Sequence, residues 1–227
     1  MATQSISLQK TMNTNEKKEK KKKLKLSKKQ KEIVIGLMLG DGHLETQNQG
    51  KTYRLKVEQT IRHKEYVDWL YDNLKDFVLT PPKRKIKESF GKQIVNYGFS
   101  TISVGSFRFF AQQFYEPTKK GRKIPDLIRR WLTPLSMAVW FMDDGQIKSK
   151  KHRALLINTQ CFSKIDLRKL QKALKEKFDI KTTLKKEPVG WRLYFLAETV
   201  QIFVDLIKSN ILSSMLRKLG INIMPKK

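Results

Sequence analysis

The sequence predicts an α+β fold made of two pseudo-symmetric repeats, each with the element order αββαββα. Three observations carry that expectation. The same succession of apolar helical and strand-like segments occurs twice, about 103 residues apart when measured from Asp41 to Asp144. Such a period is too long for a solenoid and suits a duplicated domain of roughly 100 residues. The strand-like segments come in pairs across short turns, which favours antiparallel sheets with helices on one face over βαβ crossovers. The 227 residues are 39% hydrophobic and include 12 Phe, 6 Tyr and 4 Trp, enough bulk for a core.

In the first repeat, residues 31–39 form an apolar helix that stops at Gly40-Asp41-Gly42. Strand-like stretches at 43–46 and 52–60 flank the turn-forming Asn48-Gln49-Gly50. Tyr66, Trp69, Leu70, Leu74 and Phe77 recur at helical spacing, and Pro81-Pro82 ends that segment. Residues 83–88 and 93–104 read as a hairpin across Phe90-Gly91-Lys92, and 107–114 as a short closing helix. The second repeat begins with a helix at 134–143, with Pro134 near its first turn and Gly145 beyond its end. A strand at 154–159 and a helix at 164–178 follow, the latter carrying Ile165, Leu167, Leu170 and Leu174 as its apolar stripe. A hairpin at 181–187 and 191–196 turns at Pro188-Val189-Gly190, and helices are expected at 200–207 and 211–219.

Lys and Arg number 48 against 21 Asp and Glu, a net charge of +27. That balance points to a polyanionic partner and away from most neutral or acidic metabolic enzymes. Residues 1–30 hold ten lysines and two glutamates, a net of +8, and are expected to be a disordered tail that adds nonspecific phosphate contact. The repeats are then 31–130 and 131–227, and they still carry +19. With one cysteine, Cys161, an intramolecular disulfide or Cys-rich zinc site is excluded, and three scattered histidines disfavour a His-based hydrolase. No apolar run approaches the roughly 20 residues that span a bilayer, and no secretion signal or membrane partner is expected.

The segments that align best across the repeat are Val34-Ile35-Gly36-Leu37-Met38-Leu39-Gly40-Asp41-Gly42 and Met137-Ala138-Val139-Trp140-Phe141-Met142-Asp143-Asp144-Gly145. Asp before Gly is a common turn pair, so either one alone says little. Two copies behind apolar helices in so basic a chain say more. Gly36 and Gly40 lie four apart on one helical face and allow a second helix to come close. If the two helices pack in parallel, Asp41 and Asp144 converge at C-terminal ends, where the helix dipole is already negative. A divalent cation would relieve that repulsion, and an all-oxygen donor set favours Mg²⁺ over zinc. Two carboxylates, a hard cation and a basic surface describe metal-assisted phosphodiester cleavage.

These paired helices resemble the signature helices of the LAGLIDADG homing endonucleases in their single-chain, two-repeat form. The stretches GKTY, LTPP, WLTPLSMAVWFMDDG and INTQCF carry the same likeness, which runs from about residue 32 to 219. The resemblance implies a monomeric, Mg²⁺-dependent endonuclease that cuts a long asymmetric site in double-stranded DNA with 3′ overhangs, encoded by an intron and housed in an organelle. It makes Asp41 and Asp144 the metal ligands. Asp143 aligns with Gly40, an interface position, and is not read as a ligand. Val139 and Asp143 depart from the small residues expected in the second helix. A basic residue near the end of each repeat is expected beside the scissile phosphate. Lys218 fits in the second repeat, whereas in the first Arg122 stands where lysine is expected, with Lys123 or Lys120 as alternatives. Gln59 and Gln160, which end KVEQ and INTQ, match a polar position that orients the attacking water; Glu58 is a weaker candidate.

Strand alternation places long basic side chains on a surface facing away from the helices. Arg54, Lys56, Lys83, Arg84, Lys85, Lys87, Lys181, Lys185 and Arg192 are expected to follow phosphates and base edges in the major groove. Two such sheets around the helix pair would make a DNA-binding saddle. An RNA maturase that binds intron RNA on the same fold is the alternative reading.

Overall fold

Two helices that are apolar on nearly every side form the centre of the molecule. The computed structural model describes residues 24–89, 91–116, 121–149 and 154–221. Helix α1 (Lys28–Leu39) starts in a capping box: Ser27 Oγ accepts from the Gln30 amide at 3.2 Å, and Gln30 Oε1 accepts from the Ser27 amide at 2.9 Å. Leu26 is buried ahead of it, so the first repeat begins before residue 31 and the expected tail is shorter at its C-terminal end. Residues 1–23 lie outside the described residues. Every residue from Ile33 to Leu39 is buried, as befits a helix surrounded by protein.

The sequence continues into β1 (His43–Glu45), β2 (Arg54–Thr60), α2 (Lys64–Leu74), β3 (Lys83–Ser89), β4 (Lys92–Ser100), α3 (Arg108–Phe114) and a single-turn helix α4 (Ile128–Trp131). The second half holds α5 (Pro134–Asp144), β5 (Gly145–Ser149), β6 (Ala154–Asn158), α6 (Lys164–Phe178), β7 (Thr182–Lys186), β8 (Trp191–Phe195) and α7 (Ala197–Ile207). Strand β5 was not expected from the sequence, and α4 was not either. The segment expected as a helix at 211–219 is a 3₁₀ helix over Ser213–Leu219, closed by Gly220 at φ +76°. The expected strand at 93–104 stops at Ser100, after which Thr101 Oγ1 accepts from the Leu55 amide at 2.9 Å.

Both sheets are antiparallel and four-stranded, in the orders β1-β2-β4-β3 and β5-β6-β8-β7. Matching order in both halves is the duplication seen in the sequence. Thr133 caps α5 with Pro134 in its first turn, and its hydroxyl donates to Glu32 Oε2 at 2.9 Å, tying the start of α5 to α1.

The two central helices run parallel, because Gly36 faces Ser136 and Val139 while Gly40 faces Asp143. A Cβ at Gly36 would lie 2.5 Å from the Ser136 carbonyl oxygen and 2.6 Å from Val139 Cβ. At Gly40 it would lie 2.4 Å from Asp143 Oδ2. Small residues on α1 alone therefore suffice, and the larger Val139 and Asp143 fill the space they leave. One continuous core extends from Leu26 to Leu219 around this pair, with Trp140, Tyr66, Phe107 and Phe203 fully buried. Each such side chain contributes roughly 1.5–3 kcal/mol relative to an exposed one.

Candidate active site

The parallel packing brings Asp41 and Asp144 to the same end of the molecule. Asp41 lies just beyond α1 and Asp144 is the last residue of α5, and the last carbonyls of both helices need donors. Arg122 Nη1 donates to the carbonyls of Met38 (2.9 Å), Gly40 (2.5 Å) and Gly42 (3.3 Å). Lys218 Nζ donates to the carbonyls of Met142 (2.5 Å) and Asp143 (2.9 Å). One cation thus closes each helix and offsets the negative end of its dipole. Of the three first-repeat candidates, the structure brings Arg122 to this place. The Lys123 amide bonds the Phe114 carbonyl at 2.8 Å, and its charge bears on Asp126 rather than on the acids. Lys120 lies outside the described residues.

A third carboxylate joins the pair. Asp143 Oδ2 accepts from the Asp41 amide at 3.0 Å, and its Oδ1 accepts from Gln59 Nε2 at 3.2 Å. Gln59 Nε2 also donates to Asp41 Oδ2 at 2.8 Å, while Gln59 Oε1 lies 3.4 Å from His63 Nδ1. Asp143 does occupy the interface position expected for it. It also organises Asp41 and Gln59, a role the alignment with glycine concealed, although the doubled Asp at the helix end was visible in the sequence. His63 and the buried Tyr66, which touches both the Val139 carbonyl and Asp143, were not singled out.

Electrostatics reflect this crowding. Burial, and then Asp41, push Asp144 from the ordinary 3.8 to about 7, against the pull of Arg122 and Lys218. Burial and Asp41 push Asp143 well above the carboxylate range. Burial lowers the Lys218 pKa, while the three acids hold it up. Burial and the cations Lys218 and Arg217 lower that of His63. A cleft of about 830 Å³ opens beside Asp41, lined also by His43, Tyr53, Tyr115, Arg122 and Cys161.

Strand register corrects the pairing of the two glutamines. His43 pairs with Lys56 and Gln146 with Leu156, each one residue beyond a closing glycine, so β2 and β6 correspond at a separation of 100. The counterpart of Gln59 is Thr159, which is buried and donates to the Trp191 carbonyl at 2.7 Å. Gln160 falls one residue later, with its backbone against Gly190.

Register also sorts the predicted basic surface. Lys83, Lys85 and Lys87 pair with Gly98, Asn96 and Ile94 and share the face of Lys56 and Glu58. Arg84 pairs with Tyr97, whose hydroxyl donates to Asp68 of α2 at 2.9 Å. Arg84 therefore lies on the helix side and is removed from the expected DNA surface. Lys181 precedes β7 and pairs with Glu198 of α7 at 2.7 Å, so it too leaves that row. Lys185 and Arg192 are opposite one another on the outward face, and Arg54 is there paired with Glu45 at 2.6 Å. No helix among the described residues is long and apolar enough to cross a membrane.

Two pseudo-symmetric repeats with paired acidic helix ends and two outward basic sheets define the single-chain, two-repeat class of DNA-cutting proteins. The model of the LAGLIDADG DNA endonuclease family matches residues 31–203, and the chain belongs to that family. It is 32% identical over 206 residues to DNA endonuclease I-ChuI of Chlamydomonas applanata, covering 85% of this chain and 94% of that one. It is 31% identical over 218 residues to the cytochrome b mRNA maturase bI2 of Saccharomyces cerevisiae, covering 91% of this chain but about half (51%) of the relative. Among solved structures, the homing endonuclease I-WcaI bound to its DNA recognition sequence superposes with a TM-score of 0.85 at 25% identity, over 95% of this chain and 97% of that one.

Proposed function

We propose that this chain is a site-specific endonuclease that cuts both strands of a long, asymmetric DNA site, each repeat addressing one half of it. The observation that carries the reading is the convergence of Asp41 and Asp144 at helix ends already closed by Arg122 and Lys218. Mg²⁺ fits these donors. They are hard oxygens, and burial together with the Asp41 charge raises Asp144, a cost that a bound cation would offset. Mg²⁺ commonly takes one or two carboxylates and leaves the remaining positions to water and substrate phosphate. When bound there, the cation supplies Lewis-acid polarisation of the phosphate and neutralises charge. Gln59, fixed by Asp41 and Asp143, orients a water at the first half. Arg122 and Lys218 stabilise the charge that builds on the phosphoryl oxygens, and Lys218, with its lowered pKa, is the better placed of the two to exchange a proton. The outward lysines hold the duplex by its phosphates. An organelle intron is the setting that suits such relatives.

The test is a randomised duplex library incubated with the protein in Mg²⁺ or in EDTA, with the ends sequenced. Related long sites cut in both strands only with Mg²⁺ support the proposal, and an uncut library refutes it. The maturase relatives favour a second reading, assistance to intron RNA splicing. Splicing rescue by an Asp41→Asn, Asp144→Asn double variant would separate that role from cleavage.

A further inference from the structure

Glu58 is the acid at the centre of the first sheet's outward basic face. Its Oε2 accepts from Lys85 Nζ at 3.1 Å, and its Oε1 accepts from Asn96 Nδ2 at 2.9 Å and from Lys87 Nζ. These bonds fix the carboxylate, whose side chain is 13% exposed, and hold its pKa at about 2 although burial alone would raise it. Across the rung it faces Gly98 on β4, followed by Lys83 on β3. A Cβ at Gly98 would lie 2.2 Å from the Val57 carbonyl and 2.9 Å from Glu58 Cα, so no side chain can stand there to cover the acid.

The matching rung of the second sheet is Asn158 on β6, Arg192 on β8 and Lys185 on β7. There Asn158 Oδ1 and Arg192 Nε are buried without a partner in the protein, and Arg192 Nη1 is 3.4 Å from Glu187. Matching rungs thus differ in chemistry: Glu58 is a carboxylate clamped by three donors, whereas its counterpart Asn158 keeps an unpartnered amide oxygen beside an Arg192 guanidinium with an unused Nε donor.

Resting on the endonuclease reading above, we propose that Glu58 determines specificity in the first half-site, by accepting a hydrogen bond from an exocyclic amino group of cytosine or adenine in the major groove. A carboxylate cannot pair with phosphate, and it is repelled by the N7 and O6 acceptors of guanine. The amino groups N4 of cytosine and N6 of adenine are the donors the major groove offers. Four lone-pair sites are available on the carboxylate and three are occupied by protein donors, which leaves one for the base. The clamping lysines remain beside it for flanking phosphates.

The experiment compares cleavage profiles of the parent, Glu58→Gln and Asn96→Ala on every single-base-pair variant of the parent's best site from the library. Glutamine keeps the length but can both donate and accept. Glu58→Gln is expected to lose about tenfold discrimination at one or two adjacent pairs of one half-site, with the other half-site unchanged. Asn96→Ala keeps the acid and is expected to keep the preference. An unchanged profile, or a loss spread evenly over both halves, overturns the assignment. Failure of the parent to cut any site counts against the endonuclease reading instead, so the two failures are distinguishable.

Discussion

Replacing Asp144 by asparagine should make the metal-free protein more stable while abolishing cleavage. In the unfolded chain this carboxyl loses its proton near 3.8, and in the fold only near 7. Between those values the folded state binds more protons than the unfolded one, so stability falls as pH rises, and the loss is complete above about 7. At about 1.36 kcal/mol per pKa unit, the shift corresponds to about 4 kcal/mol as an upper bound. Relaxation and water entry around the cleft reduce this to about 2 kcal/mol. For a protein of this size that is an increase of about 4–8 °C in Tm. The assay is thermal unfolding of parent and Asp144→Asn in EDTA from pH 4 to pH 8, repeated at pH 8 with Mg²⁺. The gap should be widest at pH 8 and close toward pH 4, and Mg²⁺ should raise the Tm of the parent more than that of the variant. A variant no more stable than its parent at pH 8, or one that still cuts both strands, would refute the argument that this acid is held at a destabilising position for a cation.

Five further substitutions test separate parts of the structure. Gly36→Val drives its branched side chain against the Ser136 carbonyl and Val139, and should cost about 3 kcal/mol in urea denaturation; a loss under about 1 kcal/mol contradicts the helix packing. Arg122→Ala unpairs the carbonyls of Met38 and Gly40 and should lower stability by about 2 kcal/mol, whereas Lys218→Met should leave predominantly nicked DNA, visible on denaturing gels. Lys83→Ala should reduce the slope of log affinity against log salt by about 1, while Arg84→Ala should leave it unchanged; equal effects would place both on one face.

The order of elements was legible because apolar periodicity, turn residues and caps agree in both halves. Residues 43–46 and 154–159 differ from the observed strands by a residue each. Strand β5 is hidden in the sequence because its first residue, Gly145, is also the helix stop, and between Gln146 and Lys148 Ile147 alone packs on the core. Helix ends and repeat spacing mark Asp41 and Asp144, whereas Lys218 and the choice among Lys120, Arg122 and Lys123 come only with the family resemblance; the contacts of Arg122 and Lys218 with the helix-end carbonyls are not legible in the sequence. Matching residue types across the repeat pairs Gln59 with Gln160, whereas hydrogen-bond register, which differs by one residue, pairs it with Thr159. Arg84 was misplaced because a run of four basic residues within 83–87 was read as one surface, although successive strand residues face opposite ways. Asp143 could be recognised as an organiser of Gln59 only once its carboxylate was seen beside both Gln59 and the Asp41 amide.

The duplication constrains the backbone more tightly than the side chains that line it. Close contact of α1 with α5 requires glycine at 36 and 40, and both sheets keep the same strand order, so packing preserves the symmetry. Where the surface and the cleft are free of that constraint, matched positions diverge: Gln59 against Thr159, Arg122 against Lys218, Glu58 against Asn158. Asp143 deepens the difference, because its carboxylate reaches across to Gly40 and serves the Asp41 side alone. Asp41 is therefore held by Gln59 within a hydrogen-bonded set, while among the described residues the charges of Arg122 and Lys218 offset the burial of Asp144. Two halves with one scaffold and unlike chemistry are what an asymmetric duplex requires. In the endonuclease proposed above, the shared scaffold would set the spacing of the two scissile phosphates and the unlike side chains would let each half read its own bases.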